Sequence, residues 1–177
     1  HSPEEIRELG KFNKPIFYDG KFFDIKNTLV ESIKSLKELN INYATVHLLN
    51  GLNSLKAANK TAGEIGIKLL GVSVLTNFDN EELEQLGFKD QVQDQVSRLI
   101  KIANKADLYG VICSPHEVKI IKQIAPNLKC FTPGIRQDEN KNDQKRTMNA
   151  KQALEEGSDC LIIGRPITVG AVSYTHL

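Results

Sequence analysis

Charged residues gather in Tyr18-Asp19-Gly20-Lys21-Phe22-Phe23-Asp24-Ile25-Lys26-Asn27-Thr28, directly after the apolar run Pro15 to Tyr18. If that run is a strand, residues two apart point to one face, so Asp19 and Lys21 project together with Asp24 in the loop beyond. A lysine between two carboxylates keeps its proton, because each negative neighbour favours the charged form. Such an ammonium is a proton donor, not a base. The same residues also fit a solvated Asp/Lys ion pair at a strand end, and spacing alone leaves both readings open.

Two further groups suit an anion. Thr132 to Arg146 lies between an apolar run and a helical stretch near Ala150, and carries Pro133, Gly134, Arg136, Gln144, Lys145 and Arg146. Structureless loops beyond about 12–15 residues are uncommon in compact domains and are often lids. This one is either a solvated insertion or a cover that brings a basic or polar group to a bound anion. Ile162-Ile163-Gly164-Arg165-Pro166-Ile167-Thr168 follows the last apolar run. A glycine at that turn lets a ligand approach backbone N–H groups, and the next arginine can bond a phosphate in bidentate fashion.

The elements that must position these residues alternate. Short β-rich runs occur at Pro15 to Tyr18, Tyr43 to His47, Leu69 to Val74, Leu108 to Ile112, Lys129 to Phe131 and Cys160 to Ile163. Helical stripes lie between them: Leu29, Ile33, Leu36 and Leu39; Val92, Val96, Leu99 and Ile102; Val118, Ile121 and Ile124. Asn27 or Thr28 suits an N-cap, Ser114-Pro115 opens a helix, and Gly157 closes Ala150 to Glu156. Such strands run parallel through right-handed crossovers, as an open doubly wound sheet or a (β/α)8 barrel. Polar residues cluster at or after the strand ends: Asp19 and Lys21, His47, Thr76, Ser114, Arg136 and Arg165. That distribution suits a barrel, whose strand ends build one site, and phosphate often binds after its seventh and eighth strands. No glycine-rich dinucleotide fingerprint follows the first run.

Composition narrows the class. The 177 residues are 40% hydrophobic and 25% charged, the profile of a globular domain. Lys plus Arg number 23 against 22 Asp plus Glu, a net charge of +1 that gives no bulk attraction to nucleic acid or an anionic membrane. No apolar run approaches the roughly 20 residues of a spanning helix, and the start has no signal-peptide character, so the expected compartment is the cytoplasm. Cys113, Cys130 and Cys160 are odd in number and lack metal-type spacing, so they are expected to be reduced and packed near strand ends.

Four ordered motifs carry a family resemblance: Asp-x-Lys-x-x-Asp-Ile-x-Asn-Thr at Asp19 to Thr28, Val-x-Val-Leu-Thr at Val72 to Thr76, Thr-Pro-Gly-Ile-Arg at Thr132 to Arg136, and Gly-Arg-Pro-Ile-Thr at Gly164 to Thr168. Together they resemble the orotidine 5'-monophosphate decarboxylases, (β/α)8 enzymes that convert orotidine monophosphate to uridine monophosphate and CO2. The resemblance implies that Lys21 delivers the proton to C6 as CO2 leaves and that Asp19 lies beside the departing carboxylate. It implies a homodimer with shared sites, in which Asp24, Ile25 and Thr28 reach the neighbouring subunit. Asn27 joins the substrate-binding set, Thr76 meets the pyrimidine region, and Arg136, Gln144, Gly164 and Arg165 take the phosphate. Neither cofactor nor metal is implied. His47 is expected to be structural, packed at its strand end, and Ser114 with His116 to form a helix start.

The chain also departs from that pattern. Gly20, Phe23 and Lys26 stand where the family usually has an aliphatic residue, His and Pro, and the segment between Arg136 and Gln144 is about one residue short. These changes bear on loop stiffness rather than on an acid, base or phosphate ligand. Related decarboxylases or synthases of 3-keto-hexulose phosphate share Asp-x-Lys-x-x-Asp but use magnesium; Asn27-Thr28, Thr132 to Arg136 and Gln144 favour the nucleotide enzyme. A non-catalytic phosphate-binding module is the alternative from another class. Six βα units stand against the eight of a closed barrel. The expectation is therefore an incomplete barrel over 1–171, holding strands three to eight and inactive alone, with 172–177 as a non-native tail.

Overall fold

The computed structural model describes residues 3–135, 148–164 and 167. Arg136, Gln144, Lys145, Arg146, Arg165, Pro166, Thr168 and the tail 172–177 lie outside the described residues. Helix α1 (Pro3–Leu9) precedes strand β1 (Phe17–Phe22). There follow α2 (Lys26–Ser35), β2 (Tyr43–His47), α3 (Leu52–Glu64), β3 (Lys68–Val72), α4 (Asn80–Gln85), α5 (Val92–Lys105), β4 (Gly110–Ile112), α6 (Val118–Ile124), β5 (Lys129–Thr132), α7 (Ala150–Glu155) and β6 (Cys160–Leu161).

Each expected strand is present, and the hydrogen-bonded order is sequential from β1 to β6. Sequential order separates the two architectures left open above. A doubly wound sheet reverses its strand order at a switch point, whereas a barrel adds each strand beside the last. The β1–β2, β2–β3 and β5–β6 pairs are parallel, as βα connections require.

Contacts divide the described residues into two compact units, one holding residues up to 72 with 101–111, the other 73–100 with those from 112 on. In the first, β2 and β3 pair in register from Tyr43–Lys68 to His47–Val72. Its core holds Ala44, Val46, Leu69 and Leu70 from these strands, Leu29 and Ile33 from α2, and Leu55, Ala58 and Ala62 from α3, all fully buried. Each large aliphatic side chain so buried contributes about 1.5–3 kcal/mol relative to exposure. In the second unit the Cys113 N–H donates to Phe131 O at 3.2 Å, and Val118 and Ile121 of α6 are fully buried.

Several local expectations meet the structure unevenly. The buried stripe of α5 runs through Val96, Leu99, Ile100 and Ala103, so Val92 and Ile102 fall on its margin, half-buried. Neither Asn27 nor Thr28 caps α2; the N-cap is Ile25, without a side-chain bond. The Asp24 carboxylate accepts from the Ile25 N–H at 2.7 Å, turning the chain into the helix before Asn27 is reached. Ser114 does cap, in a capping box with Glu117 and with Pro115 at the first position, and leads through a 3-10 turn into α6. Gly157 follows α7 at φ 99°, the left-handed conformation of a helix stop. The three cysteines are free, Cys113 and Cys130 buried and Cys160 half-buried.

Candidate active site

Asp19 and Lys21 meet as the sequence suggests, although not by simple strand alternation. The β1–β2 register jumps from Tyr18–Ala44 to Phe22–Val46, so four steps along β1 span two along β2. The excess is taken up at Asp19, Gly20 and Lys21, and Lys21 adopts φ 44°, in the left-handed region. Bulges of this kind re-aim side chains and recur beside active sites. Lys21 Nζ lies 2.5 Å from Asp19 Oδ2, and both side chains are nearly half exposed.

Two residues of the next βα unit hold this segment, and sequence reasoning missed both. Thr45, fully buried in β2, accepts the Lys21 N–H on Oγ1 at 2.8 Å and donates its own proton to Asp19 Oδ1 at 2.9 Å. Asn50 donates from Nδ2 to Phe22 O and to His47 O, each at 2.8 Å, and its Oδ1 accepts the Asp24 N–H at 3.0 Å. Asn50-Gly51 reads in sequence as a turn. Thr45, within Tyr-Ala-Thr-Val-His, reads as one more β-branched strand residue. Neither carries a signal of a long-range partner.

The expectation of a lysine between two carboxylates is corrected. Among the described residues Lys21 is ion-paired with Asp19, and the Asp24 carboxylate accepts the Ile25 N–H. Phe23, Asp24, Ile25, Asn27 and Thr28 are all exposed in this unit, Ile25 at 75% and Phe23 at 63%. His47 is half-buried, with its ring 5.6 Å from that of Phe23 and Nδ1 accepting the Leu49 N–H at 3.3 Å. Burial holds its pKa below the usual histidine value. Gly20 has a local reason as well. A Cβ there would stand 2.7 Å from Tyr18 Cε1, inside the stack that Tyr18 makes with Phe22.

Thr76, half-buried, and Gly164, exposed, belong to the second unit. Arg136, Gln144 and Arg165 lie outside the described residues. Among the described residues no group of three or more His, Cys, Asp or Glu side chains is placed to hold a metal ion, and no helix is long and apolar enough to cross a membrane.

The geometry thus presents an ammonium, oriented by a carboxylate, on a bulge tied to the neighbouring strand. Comparison with known proteins bears on its use. A family model described as "Orotidine 5'-phosphate decarboxylase / HUMPS family" matches residues 1–171. A protein named orotidine 5'-phosphate decarboxylase from Wolbachia pipientis subsp. Culex pipiens (strain wPip) is 41% identical over 169 residues, covering 95% of this chain and 75% of its own. One of the same name from Legionella pneumophila (strain Lens) is 42% identical over 177 residues, covering 97% of this chain and 77% of its own. The crystal structure of orotidine 5'-phosphate decarboxylase from Lactobacillus acidophilus superposes with a TM-score of 0.84 at 32% identity, over 98% of this chain and 78% of that one.

Proposed function

The chain belongs to the orotidine 5'-phosphate decarboxylase / HUMPS family, and from that premise we propose that the complete protein carrying this partial barrel performs the decarboxylation of orotidine 5'-monophosphate to uridine 5'-monophosphate in pyrimidine biosynthesis. The observation that carries this reading is the Lys21 ammonium held on Asp19 at the end of β1.

Loss of CO2 from C6 leaves an electron pair in the plane of the pyrimidine, where the ring π system cannot take it up. A fixed cation beside C6 meets that charge as it develops, and no cofactor or metal is called for. Lys21 is the cation in this reading and then gives its proton to C6. Asp19 orients the ammonium and lies beside the substrate carboxylate. Removing a preorganised donor of this kind typically costs about 3–4 kcal/mol of transition-state stabilisation, or more. Asn27 and Thr76 are assigned to the nucleotide, and Gly164, Arg165, Arg136 and Gln144 to its phosphate. The phosphate is remote from the bond that breaks, so its binding energy can order the site and exclude water. Asp24, Ile25 and Thr28 are assigned to the neighbouring site of a homodimer. The free thiols agree with a reducing, cytoplasmic compartment.

The test is Lys21→Ala in the intact gene product. Decarboxylation of orotidine monophosphate is expected to fall by at least about a hundredfold while uridine monophosphate still binds, because the phosphate contacts remain. Turnover within about tenfold of the unsubstituted protein would remove Lys21 from its role. Arg165→Ala is expected to do the reverse, weakening nucleotide binding with the C6 chemistry otherwise intact.

A further inference from the structure

Thr45 stands in β2 between Ala44 and Val46, and all three are fully buried. Valine has nearly the same shape and suits a strand as well, so the hydroxyl calls for a separate reason. Buried hydroxyls persist where their hydrogen-bonding capacity is used. Here the direction of each bond is fixed by chemistry. The Lys21 N–H can only donate, which makes Oγ1 the acceptor at 2.8 Å, and the remaining hydroxyl proton points to Asp19 Oδ1 at 2.9 Å. Asp19 Oδ2 receives Lys21 Nζ, and the three residues close a ring.

The backbone supplies the second part. Lys21 lies at φ 44°, where an L-residue is disfavoured by about 1–2 kcal/mol. The β1–β2 register skips this stretch, so the Lys21 N–H is held by the Thr45 side chain instead of a β2 carbonyl. One hydroxyl therefore grips both the peptide that carries the ammonium and the carboxylate that aims it.

We propose that Thr45 is the positioning residue of the Lys21–Asp19 pair, its hydroxyl locking the left-handed backbone of Lys21 and the orientation of the Asp19 carboxylate so that the ammonium is presented in one direction. This deepens the reading of Lys21 as proton donor and rests on it. Thr45 acts through Lys21 and Asp19 rather than on the reacting atoms.

The experiment compares Thr45→Val, which removes the hydroxyl and keeps the shape, with Thr45→Ser, which keeps the hydroxyl, in the intact gene product. Two quantities are read: hydrogen exchange of the Lys21 amide by NMR, and kcat and KM for orotidine monophosphate, normalised to folded protein by titration with uridine monophosphate. Thr45→Val is expected to speed exchange of the Lys21 amide about tenfold or more, the loss of one hydrogen bond of ordinary strength. It is expected to lower kcat about 10–100-fold with KM within about threefold, as a misplaced reacting group does. Thr45→Ser should restore both to within about threefold. A purely packing role would lower the folded fraction and leave normalised kcat unchanged. Unchanged exchange in Thr45→Val, unchanged kcat, or failure of Thr45→Ser to rescue each overturns the proposal. Should Thr45→Val not fold, the unsubstituted chain still decides it, since rapid exchange of its Lys21 amide would show that the hydroxyl holds nothing. Absence of turnover in the unsubstituted protein, or full turnover in Lys21→Ala, would instead strike the proposed function, and the exchange data would then stand by themselves.

Discussion

At Lys21 the local energies oppose one another. Its ion pair with Asp19 joins two side chains that are 45% and 46% exposed, and pairs in such surroundings contribute about 0–1 kcal/mol. The left-handed backbone costs as much or more, about 1–2 kcal/mol. Fold stability alone therefore gives no reason to keep lysine there, whereas strain at functional positions is a recurring pattern. Lys21→Gly is expected to be more stable than Lys21→Ala by about 0.5–1 kcal/mol after the extra unfolded-state entropy of glycine is subtracted, although both lose the ammonium. Urea midpoints at unchanged slope measure it. Equal stabilities would mean that the backbone at Lys21 is not strained. Asp19 and Lys21 were legible as a pair because charge at the end of an apolar run stands out. The bulge that brings them together was not legible, since it depends on pairing with β2. Thr45 and Asn50 were hidden for the same reason: their partners lie 24 to 28 residues away in sequence.

Among the elements, β5 and β6 are joined by more than their short ladder. Asp159, one residue before β6, accepts the Cys130 N–H at 2.8 Å and binds Lys122 Nζ at 2.6 Å and Lys129 Nζ at 2.9 Å. Burial alone would raise its pKa, but the bonds from Lys122, the Cys130 N–H and Lys129 outweigh it, and the net shift is downward. A carboxylate depressed on folding stabilises above its unfolded value, about 3.9, and that contribution is lost as pH falls through the lower folded value. Asp159→Asn is therefore expected to cost about 1.5–3 kcal/mol at about pH 7. The gap should close toward about pH 3 as the unsubstituted protein loses the same contribution. Urea unfolding at both pH values measures this, and a gap independent of pH would mean that the charge of Asp159 is not what binds β5 to α6. The order of strands and helices was legible because period-2 and period-3.6 patterns are local. Their ends were less so: the run expected as Leu69 to Val74 stops as a strand at Val72, and Cys160 to Ile163 keeps two residues of ladder. A strand ends where its neighbour stops offering partners, and that information lies in another segment.

At the scale of the whole molecule, the barrel was legible from the clustering of polar residues at strand ends, and the sequential strand order carries the same meaning. Assembly is a proposal, and the exposed apolar side chains beside Asp24 support it. Phe23 is 63% exposed, Ile25 75% and Leu49 41%, gathered on the loops after β1 and β2. Burying such side chains against a second copy would remove apolar surface from water on both protomers, as an isologous interface does. The assignment of Asp24, Ile25 and Thr28 to the partner's site makes a stronger claim than dimerisation, because each site would then need residues from two chains. Lys21→Ala and Asp24→Ala are each expected to be inactive alone. When the two are unfolded together and refolded, half of the dimers are hybrids, and one site in each hybrid has both residues intact. Activity should return to about a quarter of the unsubstituted level. Recovery should follow the hybrid fraction, measured by native mass spectrometry of differently tagged chains. If demonstrated hybrids recover nothing, Lys21 and Asp24 serve the same site from one chain, and the exposed loop needs another explanation.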